Sequence, residues 1–356
     1  MRRALIVKTT SMGDVIHALP AVADLARAQP ELKIDWVVEK SFADIPKLSR
    51  YVDTVHEVQV RRWRKNVFSP QTWKEAGEVR AALQSAHYER VVDLQGLLKS
   101  AVIGRWAKSF LLGYDKDSIK ESWASRFYDR TFSVSKSLSA VTRCRMLLAA
   151  AFDYDYRQFP LDFGLKTVEK EESSEPYVVF LVNTSRETKL WAESKWVELA
   201  KDCHERGFKV HFLWGAQPEY ERVKRIAQLA GDFCKVLPRM AICECASVLQ
   251  RASFVVGVDT GLTHLAAATD RPTVGLFLDY PVELVGLTGQ CVQSLGGVGA
   301  DPSVEEVKSA LKRLGLKDFF LSYEHFPAKL SIFSAGVVAG SGSLPSLASQ
   351  KTTLIS

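Results

Sequence analysis

The residues best suited to chemistry stand in "VVGVDTGLTHLAAA", residues 255–268, where Asp259, Thr260 and Gly261 close an apolar run and His264 follows within one helical turn. Small residues at that point let a phosphate approach, and the free amides of a new helix point toward it, an arrangement that suits a diphosphate. Alone, His264 is more often a structural histidine than a ligand; the ordered set after a strand is harder to explain by packing. A second set, "NTSRETKLW" at 183–191, places Thr184, Ser185 and Lys189 after another apolar run. Any one lysine is usually solvated, but hydroxyls with a lysine at a strand's end repeat the anion-site logic, so Lys189 is a candidate to balance charge on a leaving phosphate.

Three further stretches belong to the same inventory. In "TTSMGD", residues 9–14, Thr10, Ser11 and Gly13 lead into Asp14 at the start of a helical pattern. That turn reads either as an anion site at a helix N-terminus or as a helix start of which Asp14 is merely the N-cap. It lacks the glycine patterns of dinucleotide and P-loop sites. In "LWGAQPEYE", Glu219 opens a helix, where it would hold ribose hydroxyls or simply favour the helix dipole. In "QVRRWRKNVF", Arg61, Arg62, Arg64 and Lys65 crowd around Trp63. Such guanidinium density suits bidentate binding of carboxylates and phosphates. Arginines around an aromatic also stack nucleic-acid bases, but the chain's charge is too balanced for that reading to be preferred.

These sets need a scaffold that presents loops at strand ends. Apolar runs ("RALIVK", "KIDWVVE", "TVHEVQV", "RVVDLQG", then "YVVFLVN", "KVHFLWG", "FVVGVD", "TVGLFL") alternate with helical patterns at 15–28, 72–86, 193–206 and 218–230. This βαβ rhythm predicts an α/β fold with doubly wound parallel sheets, whose ligands sit outside the strands' carboxyl ends. At 356 residues, the chain suits two domains of ~150 residues each. The charged stretch "VEKEESSEP" at 168–176 reads as the linker, dividing a domain over 1–168 from one over 177–320. The Gly- and Ser-rich residues 321–356 are expected to form a flexible tail.

Composition narrows the class. No segment approaches the ~20 apolar residues of a membrane span, and the N-terminal apolar run is too short for a secretory signal, so a cytoplasmic protein is expected. The six cysteines show no metal-site spacing and are expected to be reduced thiols. Residues 1–170 carry 28 Lys and Arg against 20 Asp and Glu, the remainder 19 against 21. The basic excess in the first half is the pattern expected if that half receives an acidic partner.

With these motifs in order, the sequence resembles the bacterial lipopolysaccharide heptosyltransferases through "VKTTSMGDVIHALPA", "DWVVE", "RRWRK", "DLQGLLKS", "TSRETKLWAESKW", "LPRM" and "VDTGLTHLAAATDRPTVGLF", covering about residues 1–280. The "RRWRK" stretch favours the type I branch. The resemblance implies GT-B architecture: two facing Rossmann-like domains, acceptor in the first and nucleotide sugar in the second. It implies transfer of L-glycero-D-manno-heptose from its ADP derivative to a Kdo sugar of Kdo2-lipid A, inverting the anomeric centre without metal or further cofactor.

Carried over by position, Asp14 resembles the general base and Lys189 the lysine that balances the departing diphosphate. Thr10, Ser11, Thr184, Ser185, Asp259, Thr260, Gly261 and His264 resemble its companions at the nucleotide, Glu219 the ribose-binding glutamate, and Met240 the residue beside adenine. Arg61, Arg62, Arg64, Lys65 and Lys120 match the basic acceptor-binding set. The implied partners are the donor and an anionic glycolipid at the cytoplasmic face of the inner membrane, met peripherally, with no nucleic acid. The chain departs from the family at Asn183 and in "LDYPVELVG", which replaces the usual "GPTDP". Rival readings are a type II or other core transferase, a GT-B-like sugar-nucleotide epimerase, and a binding protein that has lost catalysis.

Overall fold

The computed structural model describes residues 2–168 and 175–316, so most of the expected linker and the expected tail lie outside the described residues. Twelve strands are described among them: β1 (Arg3–Val7), β2 (Lys33–Glu39), β3 (Thr54–Val58), β4 (Arg90–Asp93), β5 (Phe110–Tyr114), β6 (Arg130–Phe132), β7 (Tyr177–Leu181), β8 (Lys209–Phe212), β9 (Cys234–Val236), β10 (Val255–Val258), β11 (Thr273–Phe277) and β12 (Val292–Gly296). They form two six-stranded sheets, ordered β3-β2-β1-β4-β5-β6 and β12-β11-β10-β7-β8-β9. Every pairing between them is parallel. In each sheet the chain starts at the centre, winds to one edge, then returns to build the other, which opens a crevice at the carboxyl ends beside the central strands. The expected α/β, doubly wound architecture is what the chain adopts.

The helices are α1 (Met12–Ala28), α2 (Asp44–Leu48), α3 (Val60–Lys65), α4 (Pro70–Ser85), α5 (Leu98–Trp106), α6 (Ala140–Phe152), α7 (Glu193–Glu205), α8 (Gln217–Ala230), α9 (Ile242–Arg251), α10 (Gly261–Ala268), α11 (Val282–Val285) and α12 (Val304–Arg313). The first sheet carries α1 and α6 packed together on one face. A buried ion pair fixes that packing: the Arg145 guanidinium of α6 donates to the Asp24 carboxylate of α1 at 2.6 Å and also reaches the carbonyls of Tyr156 and Phe159. With its partners in place such a charge is held; without them it is a liability of several kcal/mol. The same logic holds β1 to β2, where Arg3 pairs with buried Asp35 at 2.7 Å.

Apolar packing does not stop at the lobe boundary. One buried cluster runs from Leu5, Ile16 and Leu19 of the first lobe to Cys245, Leu249, Leu265 and Ala266 of the second. Helices α1 and α2 of the first lobe meet α10 and α9 of the second. A separate cluster around Phe180, Trp191, Trp196 and Phe212 fills the far side of the second sheet. No helix among the described residues is long and apolar enough to cross a membrane.

Candidate active site

Two strand-to-helix turns face one another between the lobes. In the first, β1 is buried beyond its opening residue and feeds a turn pinned at several points. The Lys8 amide donates to Val37, and the Glu39 amide to the carbonyl of Thr9. Gln95 Oε1 accepts from the amides of Thr9 (2.9 Å) and Thr10 (3.0 Å). Gln95 is itself placed by buried Asp93, whose carboxylate takes the amides of Gln95 and Gly96 and the hydroxyls of Ser100 and Tyr128. The tight "DLQG" turn requires Gly96 at φ +70, where a Cβ would also strike Ile119.

Ser11 then enters α1 in extended conformation, and Asp14 Oδ2 accepts from the Ser11 amide (2.9 Å) and hydroxyl (3.0 Å). The N-cap of α1 is Ser11, not Asp14; Asp14 stands at the third helical position and reaches back to that cap with one carboxylate oxygen. Asp14 also lines a cavity of about 310 Å³ together with Lys8, Lys120, Lys136 and Arg143. Burial acts to raise the Asp14 carboxyl, but Lys8 and the two Ser11 bonds outweigh it and hold it below its ordinary value. Lys8 is buried, its ammonium donating to the Leu94 carbonyl at 2.9 Å. The Lys99 ammonium reaches Thr10 Oγ1 at 3.1 Å, and burial lowers it from its usual value.

The second turn follows β10. Asp259 accepts from the Lys189 ammonium at 2.5 Å through Oδ2, and its Oδ1 lies 3.7 Å from His264 Nε2. Its backbone carbonyl accepts from the Thr184 hydroxyl at 2.8 Å, while Ser185 beside it is exposed. Burial pushes the Asp259 carboxyl up, and His264 and Lys189 bring it below its ordinary value. Thr260 caps α10 by backbone conformation without a side-chain cap bond. Lys189 also stands over the Tyr280 ring at 4.7 Å, and the Arg186 guanidinium donates to the Tyr280 hydroxyl at 2.9 Å. The segment in which the chain departs from its resemblance thus forms one wall of the Lys189 site.

The two turns touch. His17 Nε2 on α1 lies 3.2 Å from His264 Nδ1 on α10, the rings meeting edge to face. A Cβ on Gly261 would sit 2.6 Å from Met12 Cγ and Sδ, so glycine is what lets the two helix starts approach so closely. Burial, followed by repulsion from His264, depresses His17 to about 3, and its charge environment includes both Asp14 and Asp259. His17 is neutral at physiological pH and serves as the uncharged contact between the two sites.

The remaining residues lie around this centre. Glu219 opens α8, its carboxylate Oε2 accepting from the amides of Gly215 (2.7 Å) and Ala216 (3.1 Å), so the helix-dipole reading is satisfied. Met240 is half-buried in the loop before α9. Arg61, Arg62, Arg64 and Lys65 share α3 around buried Trp63 and are exposed. Arg62 is engaged by Glu75, which also accepts from the Trp63 indole at 2.9 Å. Arg61 and Arg64 lie close enough to lower Lys99. Lys120 is exposed at the Asp14 cavity, apart from α3. Sequence reasoning missed Lys8, Gln95, Lys99, Lys136 and Arg143.

The comparisons agree with this geometry. Residues 77–312 match the family model glycosyltransferase family 9 (heptosyltransferase). Lipopolysaccharide heptosyltransferase 1 of Pseudomonas aeruginosa is 44% identical over 298 residues, 83% of each chain. The structure of E. coli heptosyltransferase WaaC with ADP superposes with a TM-score of 0.82 at 38% identity, covering 88% of this chain and 99% of that one. The same E. coli enzyme with ADP-2-deoxy-2-fluoro heptose gives a TM-score of 0.80 at 38% identity, covering 87% and 99%. The two facing parallel-sheet lobes are thus those of a GT-B enzyme, and the chain belongs to glycosyltransferase family 9, the heptosyltransferases.

Proposed function

We propose that this chain is an inverting, metal-independent transferase that moves L-glycero-D-manno-heptose from ADP-heptose to a Kdo sugar of Kdo2-lipid A. The observation that carries this reading is the meeting of the Asp14 turn with the Lys189–Asp259–His264 turn through the His17–His264 contact. A base and a leaving-group site on opposite lobes suit a direct displacement. Asp14 would take the proton of the acceptor hydroxyl as that oxygen attacks the anomeric carbon from the side opposite the departing ADP, which inverts the centre.

On this reading residues 177–320 hold the donor and residues 1–168 the acceptor. The diphosphate enters at the N-terminus of α10, where Lys189 turns from Asp259 to the phosphates and the helix amides share the developing charge. Thr184, Ser185, Thr260 and Gly261 line that approach, with Thr10 and Ser11 facing it from the first lobe. Glu219 would offer its second oxygen to the ribose, and Met240 would border adenine. ADP and an ADP-heptose analogue bound to the E. coli relative support this donor class. The cations Lys8, Lys120, Lys136 and Arg143 around Asp14, with Arg61, Arg64 and Lys65 beyond, suit an acceptor bearing carboxylates and phosphates. Arg62 would have to leave Glu75 to join them. A lipid-borne acceptor places the enzyme peripherally at the cytoplasmic face of the inner membrane.

The test is ADP release from ADP-heptose with and without Kdo2-lipid A, in excess EDTA, with the product's anomeric configuration read by NMR. Acceptor-dependent release that survives EDTA with inverted product supports the reading. Release only with a longer core acceptor makes the chain a different core transferase, and loss in EDTA rejects metal independence.

A further inference from the structure

The first lobe exposes aromatic side chains to which the proposed transfer assigns no role. Phe68 is 97% exposed, Trp73 69% and Trp123 68%, with Val67, Leu98, Val102 and Phe127 also open to solvent. Most large apolar side chains of a soluble protein are not left so open, and when they cluster they mark a binding surface.

Topology puts them on one rim. Val67 and Phe68 lie between α3 and α4, after β3; Trp73 is in the first turn of α4; Leu98 and Val102 are one turn apart at the start of α5, after β4; Trp123 and Phe127 lie in the 3₁₀ segment Ser122–Phe127, after β5. In a parallel sheet these connections emerge at the same end, the end that also carries the Asp14 turn. Helix α5 packs against both α4 and the 3₁₀ segment, so the three groups are neighbours.

Their chemistry separates a lipid surface from a protein one. The Trp73 indole N–H donates to the Val67 carbonyl at 2.7 Å, which satisfies its polar handle and leaves the ring free to enter an apolar medium. The Arg126 guanidinium stacks over Trp123 at 3.9 Å, and Arg61, Arg64, Lys65 and Lys74 stand exposed nearby. Two of the acids near this rim are engaged, Glu75 by Arg62 and Trp63 and Glu121 by the Leu98 amide, while Glu78 and Asp117 are exposed. Aromatic rings interleaved with free cations fit the boundary between anionic headgroups and acyl chains.

We propose that this rim is a docking surface for an anionic lipid bilayer, with Phe68, Trp73 and Trp123 entering the acyl boundary and the surrounding cations meeting headgroup phosphates. It deepens the reading of the acceptor as lipid-borne, for the docked rim is the one beside the Asp14 cavity. Because the rings enter, attachment has a part that salt does not remove.

The test mixes the full chain with vesicles of phosphatidylethanolamine containing phosphatidylglycerol, or of phosphatidylcholine alone, at low and high salt. Binding is read by sedimentation and by quenching of indole fluorescence with lipids brominated on the acyl chains. Expected are preference for the anionic vesicles, a residue of binding at high salt, and bromine quenching. The variant Phe68→Ser/Trp73→Ser/Trp123→Ser should bind at least about tenfold more weakly, while its turnover with an acceptor stripped of acyl chains stays at the wild-type level. Wild-type binding without bromine quenching, equal binding by the variant, or no binding to anionic vesicles overturns the proposal. A variant slowed on the stripped acceptor also overturns it, because the rings then serve the site or the fold. Failure of transfer to Kdo2-lipid A with normal vesicle binding would instead reject the acceptor assignment.

Discussion

Replacing Asp14 by asparagine separates the two tasks that the structure gives this side chain. At the helix start, its Oδ2 receives the amide and hydroxyl of the N-cap Ser11, and an amide oxygen in the same place still accepts both. The cap should therefore survive; losing it altogether would cost about 1 kcal/mol. As a base, the group loses all capacity, for an amide takes no proton at neutral pH, and general bases contribute ~10²–10⁴ in rate. Removing the negative charge beside buried Lys8 also raises local positive potential, which favours an anionic acceptor and keeps its KM low. The expected Asp14→Asn enzyme has kcat lower by about 10³, donor KM nearly unchanged and a thermal midpoint close to wild type. Coupled ADP release, calorimetric titration with ADP and a melting curve read these three quantities. The pH profile adds a second check. Asp14 lies below its ordinary value, so it stays ionised as pH falls until the ordinary carboxylate range near ~4 is passed. Wild-type kcat/KM should accordingly show no acid limb from this group between neutrality and that range. Retention of more than a tenth of wild-type kcat, or a wild-type acid limb near neutrality that disappears in the variant, would refute the assignment.

Other outcomes follow from the same geometry. Lys189→Met should weaken ADP binding and lower kcat by ~10²–10³, the cost of losing one preorganised donor, as measured by titration and single-turnover kinetics; unchanged ADP affinity would move the diphosphate elsewhere. Gly261→Ala places a methyl within 2.6 Å of Met12 and must push the two turns apart, at about 1–3 kcal/mol, so donor KM should rise with only a small change in melting temperature. For Asp35, burial opposes ionisation, but His56, Arg3 and Tyr88 hold its carboxyl at about 2. Because this folded value lies below the unfolded ~3.9, the stabilisation is complete above the latter and is lost as pH falls through the former. Asp35→Ala should cost about 3 kcal/mol or more at neutral pH by stranding Arg3, with the difference from wild type shrinking in acid; a constant difference in chemical denaturation across that range would argue against it.

The sequence was most readable where burial imposes a continuous apolar run, as in β1, β7 and β10, whose residues are almost wholly buried. Three of the four strands it did not reveal, β6, β9 and β12, are sheet edges, two of them only three residues long, with exposed or half-buried side chains that leave little pattern. The fourth, β5, opens on the exposed Phe110. Of the site, the Asp259 and Lys189 turns stood out because glycine, hydroxyl and charge types gather at strand ends. Lys8 and Gln95 did not, since a lysine after a strand reads as solvated and a glutamine carries no pattern of its own. Their roles come from β1 and β4 lying side by side, although the "DLQG" turn with its obligatory Gly96 was a local clue.

The apolar seam joining α1 and α2 to α9 and α10 has a mechanical consequence. A seam of buried side chains resists gaping, because parting it would wet Leu19, Leu249 and Leu265, whereas sliding by a fraction of a side chain keeps them dry. Motion of the lobes that keeps this seam dry is therefore sliding along it rather than gaping across it. The starts of α1 and α10 meet beside that seam, where sliding of this kind displaces them by no more than a fraction of a side chain.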